Sequence, residues 1–260
     1  MIPVQRYALI LERLRERTAA SINELAVDIG ASPSTVRRDL EHLAVQGYVQ
    51  RTRGGAMMAR GQMAAIEVEP DIAAQIAREK KAAIGQAAAA MLRSGQSAIF
   101  DSSSTVMEAA RATIERRIAL TAVTNSLTIA QVFAGAGGVR VIVPGGMVRE
   151  ASMTLIGEPG AAFLASLHVD VAFIGTHTIS GRHLTETSLE VAAVKRAMIR
   201  AAERAVVLAD GSKFQSPAFC NICAVTEIDE ILTDDGADPE AVAALRALGI
   251  KITCVPAATG

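Results

Sequence analysis

Asp28-Ile29-Gly30-Ala31-Ser32-Pro33-Ser34-Thr35-Val36-Arg37-Arg38-Asp39-Leu40 decides how the amino-terminal part of this chain folds. Gly30 is a natural helix stop, because a glycine adopts the left-handed conformation that closes a helix. Ser32 is a good N-cap two residues later. Pro33 suits the first helical position, where its missing N–H would be unpaired anyway. Val36, Leu40 and Leu43 then supply one buried stripe, and Gly47 ends the helix. Upstream, Ser21 and Glu24 stand three apart as a capping box, which starts the preceding helix. Two helices joined by a tight turn over 28–32 form a helix-turn-helix pattern.

In such a pattern the start of the second helix enters the major groove. Here it carries Ser32, Ser34, Thr35, Arg37 and Arg38. Hydroxyls bond phosphates or bases, and arginine bonds guanine in bidentate fashion. Neighbouring residues on a helix do not share a face, so Arg37 and Arg38 are expected to differ in role. The bland alternative is a solvated helical hairpin with ordinary surface arginines. After Gly47, the run Tyr48 to Gly55 alternates polar and β-favouring residues and ends in two glycines, which reads as a hairpin or wing. Arg51 and Arg53 on it are placed for phosphate or the minor groove. Before the pattern, Val4, Ala8, Ile10, Leu11 and Leu14 keep one apolar face on a first helix. The expected division is a DNA-binding domain over 1–57, a linker over 58–76 and a second domain over 77–260.

The charge supports that division. The 260 residues carry a net −1, yet residues 1–60 hold nine basic and six acidic side chains, a net +3, and the remainder a net −4. A basic head on an acidic body suggests that the head meets the polyanion. Half the residues are hydrophobic and a fifth are charged, which excludes disorder for most of the chain. No apolar run approaches the ~18 residues of a membrane span. The amino terminus is too charged for a signal peptide, and three cysteines make no disulfide framework. The expectation is a soluble, cytoplasmic protein.

From about residue 78 the pattern changes. Short apolar runs at 97–100, 120–123, 139–143, 169–174, 205–208, 230–233 and 250–254 alternate with Ala-rich, helix-forming stretches. That alternation predicts a mainly parallel sheet covered by helices, an α/β domain. Ligands of open α/β sheets bind beyond the carboxyl ends of the strands, and four polar loops follow predicted strands. Asp101, Ser103, Ser104 and Thr105 stand at a helix start, where free N–H groups suit a phosphate; Asp101 would repel phosphate and suits a sugar hydroxyl. An elaborate N-cap explains the same residues equally well. Asn125 and Ser126 follow the second strand. Gly145 and Gly146, with Arg149 close behind, follow the third, and paired glycines either admit a ligand's backbone approach or simply turn the chain. Lys213, in Asp210-Gly211-Ser212-Lys213-Phe214, offers a cation.

The stretch Ser32 to Leu40, with Leu43, Gly47 and Arg51-Thr52-Arg53-Gly54-Gly55-Ala56, resembles the DeoR family of bacterial transcriptional regulators. The likeness runs from about residue 3 to 254. It implies a winged helix-turn-helix joined to a sensor domain that resembles the ribose-phosphate isomerase fold and binds a phosphorylated sugar or polyol. Glu190 to Arg196 matches the family's Glu-x-x-x-x-Lys-Arg segment, which adds Glu190 to the expected effector residues, and Asp210-x-Ser-Lys-Phe is a second matching block. Two departures concern the effector's identity. Ser103 stands where the family usually has glycine, and Thr176-His177-Thr178-Ile179 replaces an Asn-Gly-Ile-like stretch, so His177 bears on ligand choice unless it is an ordinary loop histidine.

Other signals are set aside. Cys220 and Cys223 form a C-x-x-C without the further ligands a zinc site needs, and on a strand they point to opposite faces. Gly135, Gly137 and Gly138 precede a strand instead of following one, unlike a dinucleotide fingerprint. The expected protein has no cofactor or metal. It is a homo-oligomeric repressor of a sugar or polyol catabolic operon, bound to a double-stranded operator and released by a phosphorylated sugar. Repression is what the resemblance implies. The competing reading is a sugar-phosphate isomerase fused to a DNA-binding head, with Asp101, Glu190, Asp210 and Lys213 as acid, base and electrophile.

Overall fold

A computed structural model describes residues 1–59, 67–150 and 152–256. The chain divides into two compact units, Met1–Arg78 and Glu79–Gly260. The first runs α1 (Pro3–Arg17), β1 (Ala19–Ser21), α2 (Ile22–Ile29), α3 (Pro33–Val45), β2 (Val49–Thr52), β3 (Gly55–Met58) and α4 (Pro70–Gln75).

The capping signals act as their chemistry requires. Ser21 Oγ accepts from the Glu24 N–H, and the Glu24 carboxylate accepts from the Ser21 N–H at 2.7 Å. Gly30 closes α2 at φ 63°. Leu11 and Leu14 of α1, Leu25 of α2 and Val36, Leu40 and Leu43 of α3 bury one core. The wing has a strand that the sequence reading lacked: β1 joins β2 and β3 in the antiparallel order β1-β3-β2. Three residues carry too little pattern to announce a strand; β1 exists because β3 offers it a partner. Gly55 is required at that seam, since a Cβ there would lie 2.2 Å from the Ala20 carbonyl oxygen.

The stretch expected as linker, 58–76, is not featureless. Met58 ends β3, and Ile72 of α4 and Ile76 just beyond it join the core of the first unit. Pro70 starts this helix, and two isoleucines four apart cover one face. Residues 60–66 of that stretch lie outside the described residues.

The second unit runs α5 (Arg78–Ala89), β4 (Ser97–Phe100), α6 (Ser104–Glu115), β5 (Leu120–Thr124), α7 (Leu127–Ala134), β6 (Val139–Ile142), β7 (Met147–Arg149), β8 (Thr154–Ile156), α8 (Gly160–Ala165), β9 (Val169–Ile174), β10 (Thr178–Ser180), β11 (His183–Glu186), α9 (Leu189–Arg200), β12 (Ala202–Leu208), β13 (Cys220–Ala224), β14 (Glu230–Asp234), α10 (Pro239–Ala247) and β15 (Lys251–Val255). All seven apolar runs expected as strands pair in one parallel sheet, ordered β15-β14-β12-β9-β4-β5-β6. Both faces are buried, as parallel sheets demand: Val171 and Phe173 enter one apolar cluster, Ala172 and Ile174 the other.

The chain builds outward from β4 through β5 to β6, then returns to lay β9 on the other side of β4. The topological switch point therefore lies between the ends of β4 and β9, where such sheets open a ligand crevice. The hairpin β7–β8 and the antiparallel sheet β10-β11-β13 were not expected. Their strands of three to five residues lack a run of β-formers.

Candidate functional site

The start of α3 spends part of its hydroxyl chemistry on itself. Ser32 caps the helix by accepting from the Thr35 N–H at 3.2 Å, and its Oγ lies 2.9 Å from Ser34 Oγ and 2.8 Å from Thr35 Oγ1. Ser32, Ser34, Arg37, Arg38 and Arg53 are exposed, and Thr35 is half-buried. The Arg37, Arg38 and Arg53 guanidiniums form no hydrogen bond or ion pair among the described residues. The helix itself is anchored from behind: Arg6 of α1 grips buried Asp39 with both arms, at 2.7 and 3.0 Å. Arg51 differs from Arg53. It turns inward, donating to the Arg37 carbonyl at 3.3 Å, with Glu41 at 3.8 Å.

In the second unit, the switch point holds a buried polar cluster. Asp101 follows β4, Gly175 follows β9, Glu186 ends β11 and Lys195 lies on α9. Lys195 Nζ donates to Asp101 Oδ2 at 2.6 Å and to the Gly175 carbonyl at 2.8 Å, with Glu186 Oε2 at 3.6 Å. The Gly175 N–H donates to the same Asp101 oxygen at 2.9 Å. Burial works to lower the Lys195 pKa, but the charges of Asp101 and Glu186 outweigh it and hold the ammonium above its ordinary value. Asp101 Oδ1 is buried with no hydrogen-bond partner. Ser103 caps α6, accepting from the Val106 N–H at 3.1 Å. It packs so closely on Gly175 that a Cβ there would lie 2.3 Å from Ser103 Cβ. Ser104 opens α6, and Thr105 is buried in its first turn.

Of the remaining expected residues, Asn125, Ser126, Gly145, Gly146 and Lys213 follow β5, β6 and β12 of the parallel sheet, whereas Arg149 ends β7 and Glu190 lies in the first turn of α9. Asn125 and Ser126 follow β5. Asn125 donates to the Leu155 carbonyl at 3.2 Å, while its Oδ1 is buried without a partner. Ser126 caps α7. Gly146, at φ 123°, packs on the Ile156 carbonyl, where a Cβ would stand at 2.6 Å. Gly145 has its own carbonyl 2.5 Å from where a Gly160 Cβ would be. Gly146 thus serves close packing on the β7–β8 hairpin, and Gly145 lies close against the start of α8. Arg149, on that hairpin, acts electrostatically on Glu190. The Glu190 carboxylate is exposed, accepts from Ser188 Oγ at 2.7 Å, and is held below its usual range by that bond with help from Arg149. Lys213 stands two strands from Asp101, beside Asp210. Burial pushes the Asp210 carboxyl up, yet the charges of Lys213 and Lys81 and the bonds from Ser212 hold it below its ordinary value. His177 pairs through its backbone N–H with the Thr185 carbonyl at 3.2 Å.

Sequence reasoning missed Lys195, Glu186 and Gly175 as members of the cluster. A signal existed for Lys195. It occupies an apolar stripe with Val191, Ala192, Met198 and Ile199, and a lysine there is buried only if paired. Cys220 and Cys223 lie on β13 as free thiols, and burial pushes the Cys223 pKa up to about 12. No group able to hold a metal ion occurs among the described residues, nor a helix long and apolar enough to cross a membrane.

Residues 6–62 match the DeoR-like helix-turn-helix domain, and residues 76–235 match the DeoR C terminal sensor domain. The HTH-type transcriptional regulator YgbI of Escherichia coli (strain K12) is 34% identical over 245 residues, 94% of this chain and 95% of that protein. The HTH-type transcriptional repressor GlcR of Bacillus subtilis (strain 168) is 31% identical over 234 residues, 90% of this chain and 89% of that protein. Among solved structures, ribose 5-phosphate isomerase A from Methanocaldococcus jannaschii overlaps 52% of this chain and 53% of its own, at 16% identity and a TM-score of 0.39. The chain belongs to the DeoR family and is a DNA-binding transcriptional regulator, not an enzyme.

Proposed function

We propose that the protein is a cytoplasmic repressor that holds an operator through α3 and the wing and lets it go when a phosphorylated sugar or polyol binds the second unit. The observation that carries the effector half is the pair of buried acceptors, Asp101 Oδ1 and Asn125 Oδ1, left without partners at the ends of adjacent strands beside the switch point. A buried acceptor without a partner costs stability, and hydroxyl donors of a sugar would satisfy both. The phosphate would sit at the start of α6 near Ser103, Ser104 and Thr105, away from Asp101, with Ser126, Gly145, Gly146 and Lys213 after neighbouring strands and Arg149 and Glu190 contributing from β7 and α9. On the DNA side, Ser32, Ser34, Thr35, Arg37, Arg38 and Arg53 face the duplex. One small winged unit reads too few bases for tight specificity, so the working form is a homo-oligomer on repeated half-sites. GlcR bears the name of a repressor, which favours repression here too.

A thermal-shift screen tests the effector: ribose 5-phosphate, fructose 6-phosphate, glucose 6-phosphate and glycerol 3-phosphate, each beside its unphosphorylated parent. A ligand at about 100 times its dissociation constant stabilises the fold by ~2.7 kcal/mol. A phosphate-dependent shift that also weakens operator binding is the expected result. A shift by free sugars alone would remove the phosphate from the reading, and a ligand that binds without loosening the operator would remove the release.

A further inference from the structure

Arg51 and Arg53 look equivalent in the sequence, two arginines on one wing. Strand geometry separates them. On β2, Val49 and Arg51 share a face while Gln50 and Thr52 point the other way, and the burial pattern follows that alternation. Val49 is buried in the core of the first unit, so Arg51 is turned inward as well. Its guanidinium donates to the Arg37 carbonyl at 3.3 Å and stands 3.8 Å from the Glu41 carboxylate, spanning one turn of α3. Its side chain is 30% exposed with Nε buried, and the contacts its guanidinium makes are both to α3. Arg53, in the turn between β2 and β3, is exposed.

We infer that Arg51 is a positioning residue that ties the wing to the recognition helix and so sets the angle at which Arg37 meets the bases, while Arg53 is the wing's own contact to DNA. On the opposite side, the Arg6–Asp39 pair holds the same helix to α1. Asp39 lies two residues beyond Arg37, so the segment that carries the exposed arginines is held from both sides. A brace acts on base recognition, because discrimination depends on side chains meeting base edges in register. It does not change the number of phosphates neutralised.

Salt dependence distinguishes the two roles. The full chain is used to select a duplex from a random pool, and affinities for that duplex and for one of mixed sequence are measured across a salt series. Arg53→Gln is expected to reduce the slope of log K against log salt by about 0.9, the signature of one lost phosphate contact. Arg51→Gln is expected to leave the slope at the wild-type value and to lower the ratio of selected to mixed affinity roughly tenfold, on the scale of one lost base contact. Arg51→Lys, which keeps the charge without the fork, is expected to show the same lowered ratio and carries the test if the glutamine variant does not fold. A slope reduced by about 0.9 in Arg51→Gln would make Arg51 a phosphate contact. An unchanged ratio, or its full recovery in Arg51→Lys, would also overturn the brace. The inference rests on α3 being the recognition helix. The Arg37→Ala/Arg38→Ala variant is therefore run alongside, and if it kept the full ratio, that reading would fail whatever Arg51 did.

Discussion

Lys195 is the residue on which the second unit's polar interior turns. One ammonium faces two carboxylates, Asp101 and Glu186, and all three side chains are almost wholly buried. Removing a single partner from a buried pair is costly, because the charges left behind have no water. Lys195→Met is expected to destabilise the protein by about 3–5 kcal/mol, read from urea denaturation. A loss under about 1 kcal/mol would mean that water or a shifted proton replaces the ammonium. The lysine left a signal in the sequence, a charge on an apolar helix stripe, that the sequence reading passed over. Its partners were not legible there, since Asp101 lies 94 residues away and only the sheet brings it near.

Elements tell a similar story with a different cause. The helix ends of the first unit were readable because caps are local: Ser21, Glu24, Gly30 and Ser32 act within three or four residues of themselves. Strands are not local. β1 was invisible, yet Gly55 depends on it, for the Ala20 carbonyl fills the space a side chain would need. Gly55→Ala is expected to push β1 off β3, cost about 1–3 kcal/mol in the first unit and abolish operator binding. Gly137→Ala, where no atom lies within 4 Å of the added Cβ, is the control expected to fold and bind normally. Operator retention by anisotropy in both variants would show that the β1–β3 seam is dispensable.

At the scale of the whole molecule, acid stability follows from two buried carboxylates at opposite ends of the sheet. Burial pushes Glu230 up, but Thr253, Lys251 and Arg204 all donate to it and hold it below its ordinary 4.5. Asp210 is likewise held below its ordinary 3.8. A carboxyl whose folded pKa is depressed stabilises the fold above its unfolded pKa, and that contribution is lost as pH falls through the folded value. The urea midpoint should therefore be level from neutrality down to about pH 5 and fall below about pH 4.5, where the unfolded chain's carboxyls take up protons while these folded ones still resist them. Glu230→Gln should start lower at neutral pH and fall less steeply. An equally steep fall in that variant would assign the acid sensitivity to other groups.

The sequence by itself determined the elements whose signals are local: the amphipathic α1, the capped helices α2 and α3, the wing glycines, the seven apolar runs of the parallel sheet, and the split into a basic head and an acidic body. It also marked the exposed arginines of α3. Tertiary structure alone decided the rest. It chose the strand order that sets β4 beside β9 and so brings Asp101, Gly175, Glu186 and Lys195 together. It also drew β1 into the wing, folded residues 70–76 onto the first unit's core, and turned Arg51 inward while leaving Arg53 exposed. The physical reason is range. Helix caps and strand alternation are set by the backbone within a few residues, whereas pairing partners and buried charges are selected by what the folded chain brings within 3 to 4 Å.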